Sequence, residues 1–448
     1  MAHRSRPALR AGPAPAERRV TEASFEALLA AAWRRSDDLF ALVPEASMGR
    51  RPIALRHPFS FYLGHLPAFA WNQIGRGVLG LGPMRSDFDV LFERGIDPAD
   101  EDGARAASRD VWPAIAEVIA YRDEVRRAVL ARIPDVLARA EDVLGARGRI
   151  LQLVIEHERM HHETLMYMLQ EHGAARRPGG APAFVGGAGR AAEPRHVPAG
   201  RVVIGADFEA IPFGWDNEFG RAEIDVPGFT IDSLPVRNGD YLAFLEAMED
   251  GARAALTPRT FVRCGGGLAV KTIFGPVSFE VASGWPAQVS GEQARAYAVW
   301  RGGRLATEAE LRRAAFGEPS GGVRARPWGH APGEPRHGQF GFRGWSPAPT
   351  GSHPDGASAF GVEELVGNGW EWTSTPFAPL PGFVAYARTY PGYSADFFDG
   401  EHDVVFGASW ATDEGFLRPS FRNWYRRDYP YVFSSFRVVR EEPRSRRR

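Results

Sequence analysis

The stretch Ile150-Leu-Gln-Leu-Val-Ile-Glu156-His157-Glu158-Arg159-Met160-His161-His162-Glu163-Thr164 decides how the rest of the chain is read. Its apolar residues recur at helical spacing, so a helix is expected from Ile150 to about Gln170. His157 and His161 are four apart, so both imidazoles leave one face of that helix and can reach one metal ion. The same letters match His-Glu-x-x-His, in which the glutamate serves as general base beside zinc. Charged residues flank both histidines, so Glu158 is expected on the solvated side, and two surface histidines fit the pattern as well.

Outward from this helix, the N-terminal third is helical throughout. Apolar spacing marks Phe25-Leu28-Leu29-Ala32, then Ile115-Val118-Ile119 and Val125-Val129-Ile133. A further apolar helix reads Phe61-Tyr62-Leu63-Gly64-His65-Leu66-Pro67-Ala68-Phe69. Four such helices form a bundle, whose interior is a usual place for metal sites. A lone His65 would be a core histidine, but beside the pair on another helix it completes a three-histidine set. Three neutral imidazoles suit iron, zinc or copper and leave positions open for substrate and oxygen. The loop from Ser86 to Asp110 reads as irregular and acidic, long enough to line a site opening.

Composition changes to Gly, Ala and Pro in Arg177-Pro-Gly-Gly-Ala-Pro-Ala, which marks a linker or wrap-around segment. Beyond Gly200, short strand-like pieces such as Arg201-Val-Val-Ile and Phe229-Thr-Ile-Asp alternate with turns. Two helices are expected, Asn238 to Glu249 and Ser290 to Arg301. The expected organisation is a disordered segment 1–20, a helical bundle 21–175, a linker 176–198, a loop-rich α+β domain 199–440 and a basic tail 441–448, which ends in Arg444-Ser445-Arg446-Arg447-Arg448.

Lys and Arg total 54 against 55 Asp and Glu, a net charge of 54 − 55 = −1, which gives no reason to expect nucleic acid or an anionic membrane as partner. No apolar run approaches the ~18–20 residues that span a bilayer, and residues 1–20 lack a secretory apolar core. A cytoplasmic protein is expected. Cys264 is the only cysteine, so neither an intramolecular disulfide nor a cysteine-based metal cluster can form, and a small core residue is its expected role. The run Gly75-Arg-Gly77-Val-Leu-Gly80 fits a dinucleotide fingerprint, but it follows a helix and lacks the strand–turn–helix setting.

Leu63-Gly64-His65 with His157-Glu158-x-x-His161-x-Glu163 resembles the DinB-like bundle of the ergothioneine sulfoxide synthases. The second half resembles the formylglycine-generating-enzyme domain, of C-type-lectin-like fold, that is fused to that bundle. Its marks are Phe213-Gly214-Trp215-Asp216-Asn217-Glu218, Trp300-Arg301-Gly302-Gly303-Arg304-Leu305-Ala306-Thr307-Glu308-Ala309-Glu310, Gly367-Asn368-Gly369-Trp370-Glu371-Trp372 and Phe421-Arg422-Asn423-Trp424. The resemblance spans roughly residues 25–440. It implies Fe(II) held by His65, His157 and His161, and an O2-dependent joining of a sulfur or selenium donor to imidazole C2 of hercynine, the Nα-trimethylated histidine. Tyr390-Pro391-Gly392-Tyr393 resembles the family's tyrosine-bearing stretch, so either Tyr393 or Tyr390 is the implied proton or hydrogen donor, with a structural Tyr-Pro turn as the other reading. Asn423 and Trp424 match the substrate-binding stretch, and the aromatic face of Trp424 suits a trimethylammonium group. Trp370 and Trp372 read as core residues. Asn368 to Glu371 could hold a structural Ca2+ through oxygen ligands.

Two positions depart from the mycobacterial-type pattern. Tyr425 stands where those enzymes carry an Asp that helps bind γ-glutamylcysteine, and Met160 stands where they carry a Gln that helps hold hercynine. The lost carboxylate argues against γ-glutamylcysteine. It leaves free cysteine, or the selenosugar used by the selenoneine synthases that share the two domains, and a sugar has no amino group for an Asp to pair. Selenoneine synthesis is therefore the favoured expectation, with ergothioneine sulfoxide synthesis as the alternative. The ovothiol branch carries a further methyltransferase domain, for which no room is seen after Arg440. Formylglycine chemistry needs copper-binding cysteines that the single Cys264 does not supply. A zinc protease would need a third ligand such as His172 and leaves the second half unexplained; a non-catalytic bundle with a lectin-like module predicts no tight iron binding.

Overall fold

The computed structural model describes residues 21–93, 112–386 and 392–441. The expected disordered segment 1–20, the tail beyond Glu441, most of the acidic loop and Tyr390 lie outside the described residues. Four long helices form the bundle: α1 (Glu22–Phe40), α2 (Phe59–Trp71), α4 (Ile115–Leu137) and α5 (Arg149–His172), with a short α3 (Ser86–Leu91) after α2. α1 begins with a capping box in which Thr21 and Ser24 satisfy each other's backbone N–H groups. α2 is buried along its whole length and tolerates Pro67 within it. It then widens into a π-type turn, Asn72–Val78, which contains the first two glycines of the dinucleotide-like run. α5 starts after Gly148 and stops at Gly173, at φ 66° and 69°, left-handed values that glycine adopts without strain.

α5 is the central element of the molecule. α1 and α2 pack against it from the bundle side. Its other face meets the second half, so one continuous apolar cluster runs from Phe25 and Val129 through Tyr167 to Trp410 and Phe433. The helix has an unusual burial pattern: Glu156, Glu158 and Glu163 are buried together with His157. The expectation of a solvated Glu158 is therefore corrected. Its carboxylate accepts a 2.5 Å bond from Ser36 of α1, and Ser36 also lies 2.9 Å from His162 Nε2.

The segment between the halves is a strap with fixed contacts. Arg176 N donates to Leu42 O, Gly187 N to Val281 O and Arg190 N to Thr350 O. It ends in β1 (Pro194–Val197), which already belongs to the first sheet. That sheet has the order β1-β4-β13-β8, with β4 Phe229–Asp232, β8 Arg304–Leu305 and β13 Val438–Glu441. β2 (Gly200–Ile204) and β3 (Ala222–Val226) form a hairpin, and β5 (Phe261–Cys264), β6 (Gly267–Thr272) and β7 (Gly275–Ser278) form a three-stranded meander. The sheet nearest the site has the order β11-β10-β9-β12, with β9 Trp370–Pro376, β10 His402–Phe406, β11 Asn423–Arg426 and β12 Ser434–Ser435. The two expected helices are α6 (Asn238–Glu246) and α9 (Gly291–Trp300); α7 (Asp250–Leu256), α8 (Phe279–Ala282) and α10 (Glu308–Phe316) are the other α-helices among the described residues of this half. Capping boxes Ser290-x-x-Gln293 and Thr307-x-x-Glu310 start α9 and α10.

Cys264 is exposed at the tip of the β5–β6 hairpin, not in a core. Trp370 and Trp372 are buried, as the sequence suggests. Among the described residues no helix is long and apolar enough to cross a membrane.

The calcium expectation does not fit these residues. The Glu371 carboxylate is taken by Arg437, whose Nε and Nη2 donate at 2.7 and 2.5 Å, with both side chains fully buried. Asn368 spends its amide on Ala348 and Glu364. Removing one partner of such a buried pair strands a charge, so Arg437→Met is expected to lower stability by about 3–5 kcal/mol. A guanidinium-chloride midpoint equal to that of the unaltered protein would contradict this assignment.

Candidate active site

His65, His157 and His161 meet at the centre of the bundle. His157 Nε2 lies 3.3 Å from His65 Nε2 and 3.2 Å from His161 Nε2, and the ligand atoms of all three fall within 4.8 Å of one another. Nitrogens sharing one ion at about 2.1 Å, at right angles, stand roughly 3 Å apart. The donor set therefore fits a metal. Two further contacts aim the rings. His65 Nδ1 is 2.8 Å from the Phe92 carbonyl oxygen, which can only accept, so Nδ1 carries the proton and Nε2 presents its lone pair to the centre. Phe69, one turn beyond His65 on α2, stacks on His157 with centroids 3.5 Å apart. Burial pushes the His65 imidazole down to about 4, against the raising effect of the Phe92 bond. Burial and the neighbouring imidazoles push His157 and His161 well below the ordinary histidine value. All three are thus neutral near pH 7, the form that binds metal.

The zinc-protease geometry is absent. Glu158 points at Ser36 and α1, and the third imidazole comes from α2, not from His172, which sits against Phe59 at the end of α5.

The histidines open on a cavity of about 480 Å3 where α5 meets the second half. His157, Met160 and His161 line it from α5, Asn423, Trp424 and Tyr425 from β11, and Tyr393 from the loop before β10. The structure thus brings together every candidate residue except His65, which sits behind the other imidazoles, and Tyr390, which is outside the described residues. Arg422, beside Asn423, is anchored by two 3.1 Å bonds to buried Glu308, which fixes the start of β11. Trp424 stacks on Phe377 at 4.0 Å and meets the edge of Tyr393 at 5.3 Å. Tyr393 Oη is 3.4 Å from Met160 Sδ. Tyr425 stacks on Tyr429, and burial, with Tyr167 and Glu163 nearby, pushes its hydroxyl far above the ordinary phenol value. It stays a neutral phenol.

Other lining residues carry no role in the sequence reading. Tyr167 had a signal: with Met160 and Glu163 it forms a stripe at helical spacing along α5. Arg56 had none, because the partners that define it, Tyr429 Oη at 3.0 Å and the Tyr167 ring, are remote in sequence.

A helical bundle with a three-histidine centre, closed by a loop-rich sheet domain, defines a two-domain protein with a candidate metal site. Residues 28–165 match the DinB superfamily, and residues 188–442 match the sulfatase-modifying factor enzyme 1-like domain. The chain is 37% identical over 394 residues to the hercynine oxygenase of Mycobacterium tuberculosis, covering 81% of this chain and 89% of that one. It is 36% identical over 306 residues to the hercynine oxygenase of Mycolicibacterium smegmatis, with 64% and 70% covered. It is 28% identical over 497 residues to ergothioneine biosynthesis protein 1 of Neurospora crassa, spanning 89% of this chain and 56% of that longer one. The chain belongs to the hercynine oxygenase family, with its fusion of a DinB-type bundle to a sulfatase-modifying-factor-type domain.

For a metal held by three imidazoles on two helices, loss of one of them in His161→Ala is expected to reduce the iron(II) retained after dialysis of the loaded protein below about a tenth of an equivalent. His65→Ala should do the same although it lies on another helix. Full iron content in either variant, by elemental analysis, would contradict the site.

Proposed function

We propose that this chain is an O2-dependent non-heme iron enzyme that forms a C–Se or C–S bond at imidazole C2 of hercynine, with a selenosugar as the favoured donor. The observation that carries the reading is a centre of three neutral imidazoles, two of which, His157 and His161, face a cavity walled by Tyr393 and Trp424. The names of the relatives support hercynine as substrate. Overall, the imidazole C2–H, the selenol or thiol and O2 yield the selenoxide or sulfoxide and one water. Four electrons leave the substrates, two with the new bond and two with oxidation of the chalcogen, and O2 receives them. Iron(II), held by His65, His157 and His161, would supply the redox chemistry that couples the two.

The remaining tasks fall to side chains. The trimethylammonium group is attracted to aromatic faces, and Phe377 stacking fixes Trp424 for that purpose. Met160 offers hercynine an apolar contact beside His161 in place of an amide. Tyr393 holds its hydroxyl over the α5 face that carries the ligands, where it can deliver a proton or hydrogen atom. Tyr425 gives the donor a neutral phenol, which suits the hydroxyls of a sugar and leaves an ammonium group without the counter-charge an Asp would supply. Cysteine or γ-glutamylcysteine is the second reading, favoured by one observation: Asp396, Asp399 and Glu401 also line the cavity and offer carboxylates to an amino group.

Offered cysteine, γ-glutamylcysteine, a thiosugar and a selenosugar together, the iron-loaded protein with hercynine and O2 should give the hercynyl–selenosugar adduct as the main product by mass spectrometry. A cysteine-derived sulfoxide would replace the donor assignment, and no hercynine adduct at all would remove the substrate. Tyr425→Asp should raise kcat/KM for γ-glutamylcysteine relative to the sugar by about tenfold, ~1.4 kcal/mol, with the KM for hercynine little changed. An unaltered donor profile would take Tyr425 out of the argument.

A further inference from the structure

Trp215 connects the metal-bearing helix to the tyrosine wall. It is fully buried within Phe213–Glu218, a segment whose role the proposed reaction leaves open. Its indole Nε1 donates a 2.9 Å bond to Glu156, the residue before His157. Its ring lies against Tyr393, with centroids 4.0 Å apart and planes 27° from parallel. Tyr393 in turn reaches Met160, four residues beyond Glu156 on α5. The contacts close a ring, Glu156–Trp215–Tyr393–Met160, whose two α5 members bracket His157 and precede His161.

The ring is held rigid from behind. Arg418 grips Glu156 through Nη1 and Nη2 at 2.7 and 2.9 Å, and its Nε donates to Glu218 at 2.8 Å. Glu218 also accepts the Trp215 backbone N–H at 2.9 Å, so the same arginine positions both Glu156 and the backbone of Trp215. The loop that carries Tyr393 is tied to the same segment. Ser394 bonds to Asp216, Asn217 Nδ2 donates to Ser394 Oγ at 3.0 Å, and the Tyr386 hydroxyl donates to the Gly214 carbonyl at 2.7 Å. A phenol on a loop loses rotational freedom when one face is stacked, and a hydroxyl displaced by about 1 Å can cost a proton or hydrogen transfer roughly a hundredfold in rate.

We propose that Trp215 is a positioning residue for Tyr393, setting its hydroxyl against the metal helix by a stack on one side and a hydrogen bond to Glu156 on the other. The proposal rests on the reading of Tyr393 as the proton or hydrogen donor. If it holds, Trp215 acts only through the Tyr393 hydroxyl, and removing that hydroxyl makes Trp215 dispensable for the rate.

A double-mutant cycle tests this on the iron-loaded enzyme, reading kcat, the KM for hercynine, iron content and moles of adduct per mole of O2. Trp215→Leu should lower kcat and the adduct-to-O2 ratio about tenfold or more, with iron content and KM little changed. Trp215→Phe, which keeps a ring to stack, should restore most of the loss. The double variant Trp215→Leu/Tyr393→Phe should be no slower than Tyr393→Phe alone. Losses that multiply, or a Trp215→Leu defect confined to KM or iron content, would overturn the proposal. An unimpaired Tyr393→Phe would instead sink the donor role of Tyr393, and the proposal with it. A crystal structure of the Trp215 variants gives a readout independent of turnover and of substrate identity. Tyr393 Oη should have left Met160 Sδ in Trp215→Leu and kept its place in Trp215→Phe; a Tyr393 unmoved in the leucine variant, or displaced in the phenylalanine variant, overturns the proposal.

Discussion

An ionised carboxylate removed from water costs several kcal/mol unless charged or hydrogen-bonding partners replace its hydration. Helix α5 buries three carboxyl groups, Glu156, Glu158 and Glu163, within eight residues of the chain. Each is met from a different direction. Glu158 is received by Ser36 of α1, Glu156 by Trp215 and Arg418, and Glu163 by Trp370, Ser409 and Thr412 at 2.7–2.8 Å. Only the bundle can satisfy the first, and only the second half can satisfy the other two. Burial still pushes Glu156 and Glu163 above the ordinary carboxylate value, against the lowering effect of these partners. The helix therefore has one satisfactory rotation and one satisfactory depth between the two halves.

That constraint places the chemistry. With the carboxylates docked, His157 and His161 turn toward His65 of α2, and Met160 turns toward Tyr393. The cavity lies where the second half completes the helix. The three imidazoles and the aromatic wall come from different halves, so the candidate site is complete only when both are docked.

The imidazole pair was legible because i,i+4 spacing is a local property, and His65, which alone reads as a core histidine, only because that pair stands on another helix. The aromatic wall was legible only through resemblance, since Trp424 and Tyr393 show nothing in their local spacing. The misreadings share a cause. Glu158 reads as solvated because its partner Ser36 lies 122 residues away. Glu371 reads as a cation ligand because Arg437, 66 residues on, is invisible to local inspection. Cys264 reads as core by residue type, yet it occupies a hairpin tip where Gly265 and Gly266 turn the chain at φ 59° and 82°. Trp215 stood in a recognised motif without a role, because its partners lie 59 and 178 positions away.

The central claim is that three histidines in the bundle centre hold a metal beside a cavity that takes trimethylated histidine. An anaerobic crystal structure of the iron-loaded protein soaked with hercynine tests it most directly. The account predicts one iron bound by Nε2 of His65, His157 and His161. It also predicts hercynine in the adjoining cavity, its trimethylammonium group against Tyr393 and Trp424. Iron bound elsewhere, or hercynine outside that cavity with the aromatic wall unused, would contradict it.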